Sequence, residues 1–310
     1  MDITFFTDYL AASLRLSVPI AFAALGGLFS ERAGVLNIGL EGMILAGAFA
    51  SAAAAFYTGS VWVGILAALT AGGTVGLLHA YLCVTLRVDQ LVSGLALNLA
   101  SAGLTSFLAR LVFSSGSTQQ LPAIPTAGIP ALKDIPIIGV LLFNQDPLVY
   151  FLFLLVPLST YILFRTGIGL SLRAVGEYPR AADTAGVPVA AVRYLSVTLS
   201  GCLSGLGGAY LALAHVRFFT EEMSAGKGFI ALAALIFGRW HPAGAALASL
   251  LFGATEALQL RIQAFNLNIP YQLLVMLPYC VALLALVGLA GKSTPPAALG
   301  IAYIKESRDN

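Results

Sequence analysis

Residues 61–85 read VWVGILAALTAGGTVGLLHAYLCVT, a run without a single Asp, Glu, Lys or Arg. About 20 apolar residues in a helix cross a hydrocarbon core of about 30 Å, so this run is long enough to do so. Similar runs recur at 10–29, 35–56, 91–113, 148–164, 194–214, 228–238, 243–260 and 271–290. The 228–238 run is too short for an ordinary span. It reads as a tilted or re-entrant helix, or as a piece joined to its neighbour. The expected fold is all-α: a polytopic transmembrane helical bundle of about 8–10 membrane segments. The membrane domain covers 1–290, with a cytoplasmic loop near 165–193, and a mobile cytoplasmic tail covers 291–310.

The composition agrees. Hydrophobic residues make up 59% of the 310 and charged residues only 10%, with mean hydropathy +0.91. Soluble domains carry roughly 25% charge, and no soluble fold of this length hides so much apolar surface. A net charge of +2 gives no sign of nucleic-acid binding. Cys83, Cys202 and Cys280 all fall inside apolar runs, away from metal-ligand spacing, and read as apolar fillers. The start, MDITFFTDYL, lacks the basic stretch of a cleaved signal peptide.

Basic residues orient the bundle. Arg165, Arg173, Arg180 and Arg193 place their loop in the cytoplasm. Threading outward adds Arg32, Arg87, Arg239, Lys292, Lys305 and Arg308 to that side. Arg15, Arg110, Lys133, Arg217, Lys227 and Arg261 then lie outside or near outer ends. The C-terminus is cytoplasmic on this reading, and nine segments place the N-terminus outside. The outer loop 114–147 carries Pro122, Pro125, Pro130, Pro136 and Pro147, which favour an extended excursion, either a docking surface or a connection.

Small residues repeat at helical spacing in Gly72 and Gly76, and again in Gly201, Ser204, Gly205 and Gly208. They suit close helix packing. Polar groups within spans cost free energy and therefore point to function. Asn37 and Glu41 share one helix face. Gly94, Asn98, Ser101 and Thr105 form a second stripe, with Ser93 just before it. Glu256, Gln259 and Gln263 form a third. A polar solute path between helices needs such donors and acceptors. Equally, these groups could hydrogen-bond to one another and join the bundle, and Glu256 could reach the outer interface. His79 reads as a satisfied packing residue, and Arg15 as a side chain reaching for the interface.

Catalytic signatures are missing: HExxH, GxSxG and CxxC do not occur. VGLAGKST, at 287–294, superficially resembles a phosphate-binding loop, but Leu286 stands where that loop needs a Gly. No cofactor and no metal are expected on this chain, and its energy must come from ions or a partner.

The segment GLSLRAVGEYPRAADTAGVPVAAVRY, 169–194, lies between two spans. A short helix is expected from Arg180 to Ala185, started by Pro179 and stopped at Gly186. It is either a solvated connection or a small-faced helix that inserts into a partner's groove. This segment resembles the cytoplasmic coupling loop of the branched-chain amino acid, ribose and nucleoside permease family of bacterial ABC importers. The family's R-A-x-G-x-x-x-x-A-A-x-x-x-G pattern is present as Arg173, Ala174, Gly176, Ala181, Ala182 and Gly186. SERAGVLNIGLEGMILAGAF (30–49), SGLALNLASAGLTSFL (93–108) and GKGFIALAALIFGRWHPAGA (226–245) are similar to the family too, closest to its nucleoside branch. The likeness covers about residues 14–290, with His241 where Asn is usual.

The resemblance implies a permease subunit in a bacterial cytoplasmic membrane. Its partners would be two ATPase subunits that carry the ATP, a second and paralogous permease, an extracytoplasmic solute-binding lipoprotein, and membrane lipid. Glu177 and Arg180 join the motif residues as ATPase-coupling candidates. Asn37, Glu41, Ser93, Asn98, Ser101, Phe107, Lys227, Phe229 and Glu256 are the pathway candidates. An aromatic such as Phe107 or Phe229 in the path favours a nucleobase over a simple sugar such as a pentose. An ion-coupled secondary transporter is the competitor from another class; it calls for an inverted repeat, and none is evident. The missing catalytic constellation disfavours a membrane enzyme.

Overall fold

Lipid offers no hydrogen-bond partner, so each membrane segment has to satisfy its own backbone. The computed structural model describes residues 3–113, 120–128, 135, 139–265, 270–288 and 294–304, and these form helices with no strand. The helices are α1 (Ile3–Arg32), α2 (Leu40–Thr58), α3 (Val61–Ala80), α4 (Gln90–Val112), α5 (Pro147–Arg165), α6 (Gly167–Glu177), α7 (Pro179–Thr184), α8 (Val189–Ala209), α9 (Lys227–Phe237), α10 (Pro242–Ala264), α11 (Tyr271–Val275) and α12 (Leu277–Gly288). Wider π-helical turns extend α3 through Tyr81–Thr85 and α8 through Tyr210–His215. With those extensions, seven helices are long and apolar enough to cross a membrane, and two shorter apolar ones accompany them.

Each apolar run of the sequence lies on one of these helices, with two differences. The 271–290 run is broken after Met276, where Pro278 cannot donate to the carbonyl of Leu274; it sits instead in the first turn of α12. The 35–56 run becomes helical only at Leu40, for reasons given below.

α1 and α8 are the most enclosed spans, and α4, α5 and α10 lie at the periphery. Glycine sets the central contacts. A Cβ added at Gly201 would collide with the carbonyl of Gly72, one at Gly205 with that of Ala68, and one at Gly208 with that of Ile44. The glycine stripes are therefore packing surfaces, which bring α8 against α3 and α2 at backbone distance.

One end of the bundle gathers the end of α1, the α5–α8 connection and the α9–α10 turn. Arg32 donates from Nε to the carbonyl of Trp240 at 2.9 Å, and Arg173 lies over the Phe164 ring, 5.2 Å from its centroid. The tail expected to be mobile is, over 294–304, fastened to this same end. Ala298 N–H donates to Gly176 O at 2.9 Å, Gly300 N–H to Gly34 O at 3.3 Å, and Arg193 Nη1 to Ile301 O at 3.0 Å. Backbone groups that can pair with buried carbonyls do so, and the sequence pattern of a Pro- and Ala-rich tail does not show that. Lys292, Lys305 and Arg308 lie outside the described residues.

At the other end Arg110 and Glu221 form a two-pronged ion pair at 2.9 and 3.1 Å. That hydrogen bonding holds the Glu221 carboxyl below its usual range. Residues 120–128 run extended there, pinned by Leu121 N–H to Arg217 O and Ile124 N–H to Leu213 O, with both side chains buried. Lys133, Pro130 and Pro136 lie outside the described residues.

Candidate functional site

α9 has only 11 residues, or about 16 Å at 1.5 Å each. It runs from the first turn of α2, where Gly228 fits against the backbone of Leu40 and Glu41, to the Arg32 end, where Trp240 Nε1 donates to Glu31 Oε2 at 2.6 Å. It is thus a short helix that begins inside the bundle, level with the first turn of α2. Such a start leaves N–H groups without partners. Glu41 supplies the acceptors: Oε1 takes Gly226 N–H at 2.7 Å and Oε2 takes Gly228 N–H at 2.6 Å. A carboxylate also complements the positive end of a helix dipole. Beside it Lys227 Nζ meets Glu256 Oε1 at 2.6 Å, which joins the first residue of α9 to α10.

α2 also begins inside the bundle. Gly34, at φ +84°, ends the turn after α1, and residues 35–39 run outside any helix. Exposed polar backbone at this depth has to be paired. Gln90 Oε1 accepts from Leu36 N–H at 2.7 Å, and a ring nitrogen of His79 pairs with Leu36 O at 3.1 Å. Asn98 Nδ2 donates to Ile38 O at 3.0 Å, while its Oδ1 accepts from Gly42 N–H at 2.8 Å. Asn37 Nδ2 donates to Ser200 Oγ at 2.9 Å, and the other nitrogen of His79 pairs with Ser93 Oγ at 2.9 Å. These side-chain partners satisfy the backbone that α2, starting only at Leu40, leaves unpaired.

Each of the three polar stripes contributes to one broken-backbone joint, the third through Glu256 alone among its described contacts. Asn37, Glu41, Ser93, Asn98, Lys227 and Glu256 all belong to it, and the buried Ser101 packs beside Gly42. Phe107 and Phe229 stand apart: both are exposed, at 60% and 46%. Of the two readings of Asn98, the hydrogen bonds support the joining one. Glu256 is engaged by the Lys227 ion pair. Sequence reasoning missed Gln90 and Ser200; both precede or punctuate apolar runs, and only the irregular backbone opposite explains them. Replacement of Asn98 by Leu strands Gly42 N–H and Ile38 C=O, at about 1–3 kcal/mol for each buried group. Thermal stability of the purified chain falls first, and transport loss follows it; a variant of native stability that does not transport would show a direct contact with solute instead.

At the Arg32 end, Thr166 Oγ1 caps α6 by accepting Gly169 N–H at 3.2 Å, and Pro179 opens α7. Gly186, at φ +85°, ends the turn in a conformation that favours glycine. The short helix lies one residue earlier than the sequence suggested. Ala182 is buried with Val175 and Val189, and a Cβ at Gly176 would strike the carbonyl of Arg32. These two motif residues therefore hold the segment to the bundle. Arg180, Ala181 and Gly186 are exposed, and so is Glu177, whose Oε2 accepts from Ala297 N–H at 3.2 Å.

Helices long and apolar enough to span a membrane, a short helix joined among them and a small helix presented at one end fit a membrane transport subunit. The chain matches, over residues 9–286, the family described as "Branched-chain amino acid transport system / permease component", and it belongs to that family. It is a permease subunit, a transport component and not an enzyme. It is 41% identical to the guanosine ABC transporter permease protein NupQ of Bacillus subtilis (strain 168), covering 96% of both chains. It is 42% identical to the nucleoside ABC transporter permease protein NupC of Lactococcus lactis, covering 95% of this chain and 96% of that one. To the putative glucose ABC transporter permease protein TsgC13 of Haloferax volcanii it is 38% identical, covering 85% and 80%.

Proposed function

We propose that this chain forms part of the translocation path of an ATP-driven importer for nucleosides or related purine compounds. The observation that carries this reading is its likeness, above 40% over nearly full length, to the guanosine and nucleoside permeases. The likeness to a glucose permease favours a simple sugar as the second reading. Uptake of labelled guanosine in cells that depend on this chain distinguishes the two. Competition by inosine and adenosine, and none by glucose or ribose, is the expected result; competition by the sugars alone contradicts it.

In this reading Phe229, exposed in the first turn of α9, stacks on the base. The joint around Glu41 and Asn98 holds α9 in place behind it. Asn37, Ser93 and Ser101 lie in the buried layer beneath. A second, paralogous permease covers the apolar peripheral helices and completes the path. An extracytoplasmic binding protein delivers the solute, and ATPase subunits dock on the exposed side of α7. The end that carries Arg32, α7 and residues 294–304 faces the cytoplasm, in a bacterial cytoplasmic membrane. A cysteine in place of Glu177, in a chain otherwise free of cysteine, then resists an impermeant maleimide added outside intact cells and reacts once they are opened. Labelling from outside inverts the topology.

A further inference from the structure

Residues 296–301 form a tight turn. Leu299 N–H donates to Pro296 O at 3.0 Å and Ile301 N–H to Ala298 O at 3.2 Å, with Gly300 at φ +79°. This turn and its continuation reach the ends of α1, α6, α7 and α8. Ala297 N–H and Ala298 N–H bond to Glu177 Oε2 and Gly176 O at the end of α6, and Gly300 N–H bonds to Gly34 O just after α1. Arg193 of α8, itself buried, donates from Nη1 to Ile301 O. Tyr303 Oη donates to Asp183 Oδ2 on α7 at 2.9 Å, and Tyr303 packs on the cluster of Val175, Ala182 and Val189. The approach is close: a Cβ at Gly34 would lie 3.0 Å from Arg193 Nη2 and 3.2 Å from Ala298 O. α7, by contrast, has short joints on both sides. Tyr178 alone separates it from α6, and residues 185–188, with Gly186 at φ +85°, separate it from α8. A few such residues can absorb a change of backbone angle and let a small helix pivot, and the Tyr303 contact opposes that pivot.

We propose that residues 297–303 are a coupling brace: when a docked ATPase displaces α7, they carry the displacement to the ends of α1 and α8, with Tyr303 as the positioning residue on α7. The brace rests on the reading that ATPase subunits dock on α7. In the chain α7 is continuous only with α6 and α8, and the tail adds the tie to Gly34 after α1. α1 and α8 are the most enclosed spans, and a close-packed interior transmits a shift rather than absorbing it. α8 in turn reaches the joint around Glu41 and Asn98 through Ser200, which accepts from Asn37. Hydrogen bonds therefore run from the docking helix through the tail to α8, and from α8 to the joint.

The test uses the complete complex in proteoliposomes and reads two rates together, labelled guanosine moved and ATP hydrolysed. Tyr303→Phe removes one hydroxyl, and Ala298→Pro removes the N–H that meets Gly176 O. Both variants should keep their ATPase subunits on purification and continue to hydrolyse ATP. Guanosine moved per ATP should fall about fivefold in Tyr303→Phe, the effect of one hydrogen bond on the population of the braced state, and at least as far in Ala298→Pro. Ile304→Ser, at an exposed side chain of the same tail, should keep the wild-type ratio. A ratio unchanged in Tyr303→Phe overturns the brace. So does a fall of both rates in step with the melting temperature, which a merely structural contact would give. Loss of the ATPase subunits from Ile304→Ser also overturns it, and makes the tail a docking surface instead. Ala181→Trp separates the brace from the reading beneath it. If Ala181→Trp keeps its ATPases and transports normally, docking on α7 fails; if it sheds them while Tyr303→Phe keeps the wild-type ratio, the brace alone fails.

Discussion

Replacement of Glu41 by Ala collapses the joint. The variant removes both acceptors of the α9 start, at 2.7 and 2.6 Å. Hydrogen bonds to a charged group contribute about 1.5–3 kcal/mol each, so the pair accounts for roughly 3–6 kcal/mol. Two N–H groups of the α9 start then lose their side-chain acceptor inside the bundle. A fall in melting temperature of roughly 10 °C follows for a chain of this size, with transport below about a tenth of the wild-type rate as α9 loses its position. Glu41→Gln retains one acceptor but sets an NH2 against the second N–H, and should lie between the two. Scanning fluorimetry on the detergent-purified chain measures the first effect and labelled-solute uptake the second. Native stability in Glu41→Ala would mean that the carboxylate does not hold α9.

Ala181 and Ala182 are neighbours in the motif, and they should fail in different ways. Ala181 is exposed on α7, whereas Ala182 is 4% exposed and packed on Val175 and Val189. Ala181→Trp therefore leaves the fold intact, abolishes transport and prevents co-purification of the ATPase subunits, because the bulk falls on the docking face. Ala182→Trp overpacks the base of the loop, which typically costs about 1–3 kcal/mol or more, and loses stability before it loses its partner. If Ala181→Trp assembles and transports normally, α7 is a connection and not a docking element.

The spans were legible because lipid imposes a simple rule on length and polarity, and the run at 61–85 shows it without ambiguity. The short helix at 227–237 was legible as an anomaly of length. The roles of the polar stripes were not. Asn37 and Glu41 looked like one helical face, yet Asn37 precedes the helix and bonds to α8, while Glu41 reaches α9. Spacing along one strand of sequence carries no information about which backbone, far away in the chain, has been left unpaired. The tail illustrates the same limit. Ala298 donates its main-chain N–H to Gly176 and Ile301 accepts from Arg193 through its carbonyl, which any residue type, proline at 298 excepted, could do. Conversely, the motif pattern did not show that Gly176 packs against the backbone of Arg32.

The central claim is that this permease moves its solute only when partner ATPases drive it. The direct measurement is uptake of labelled guanosine into proteoliposomes that hold the chain with its second permease and binding protein, with and without the ATPase subunits. Uptake that requires both the ATPases and ATP is the predicted result. Robust uptake without ATPases, driven by an imposed ion gradient, would contradict it and make the protein a secondary transporter.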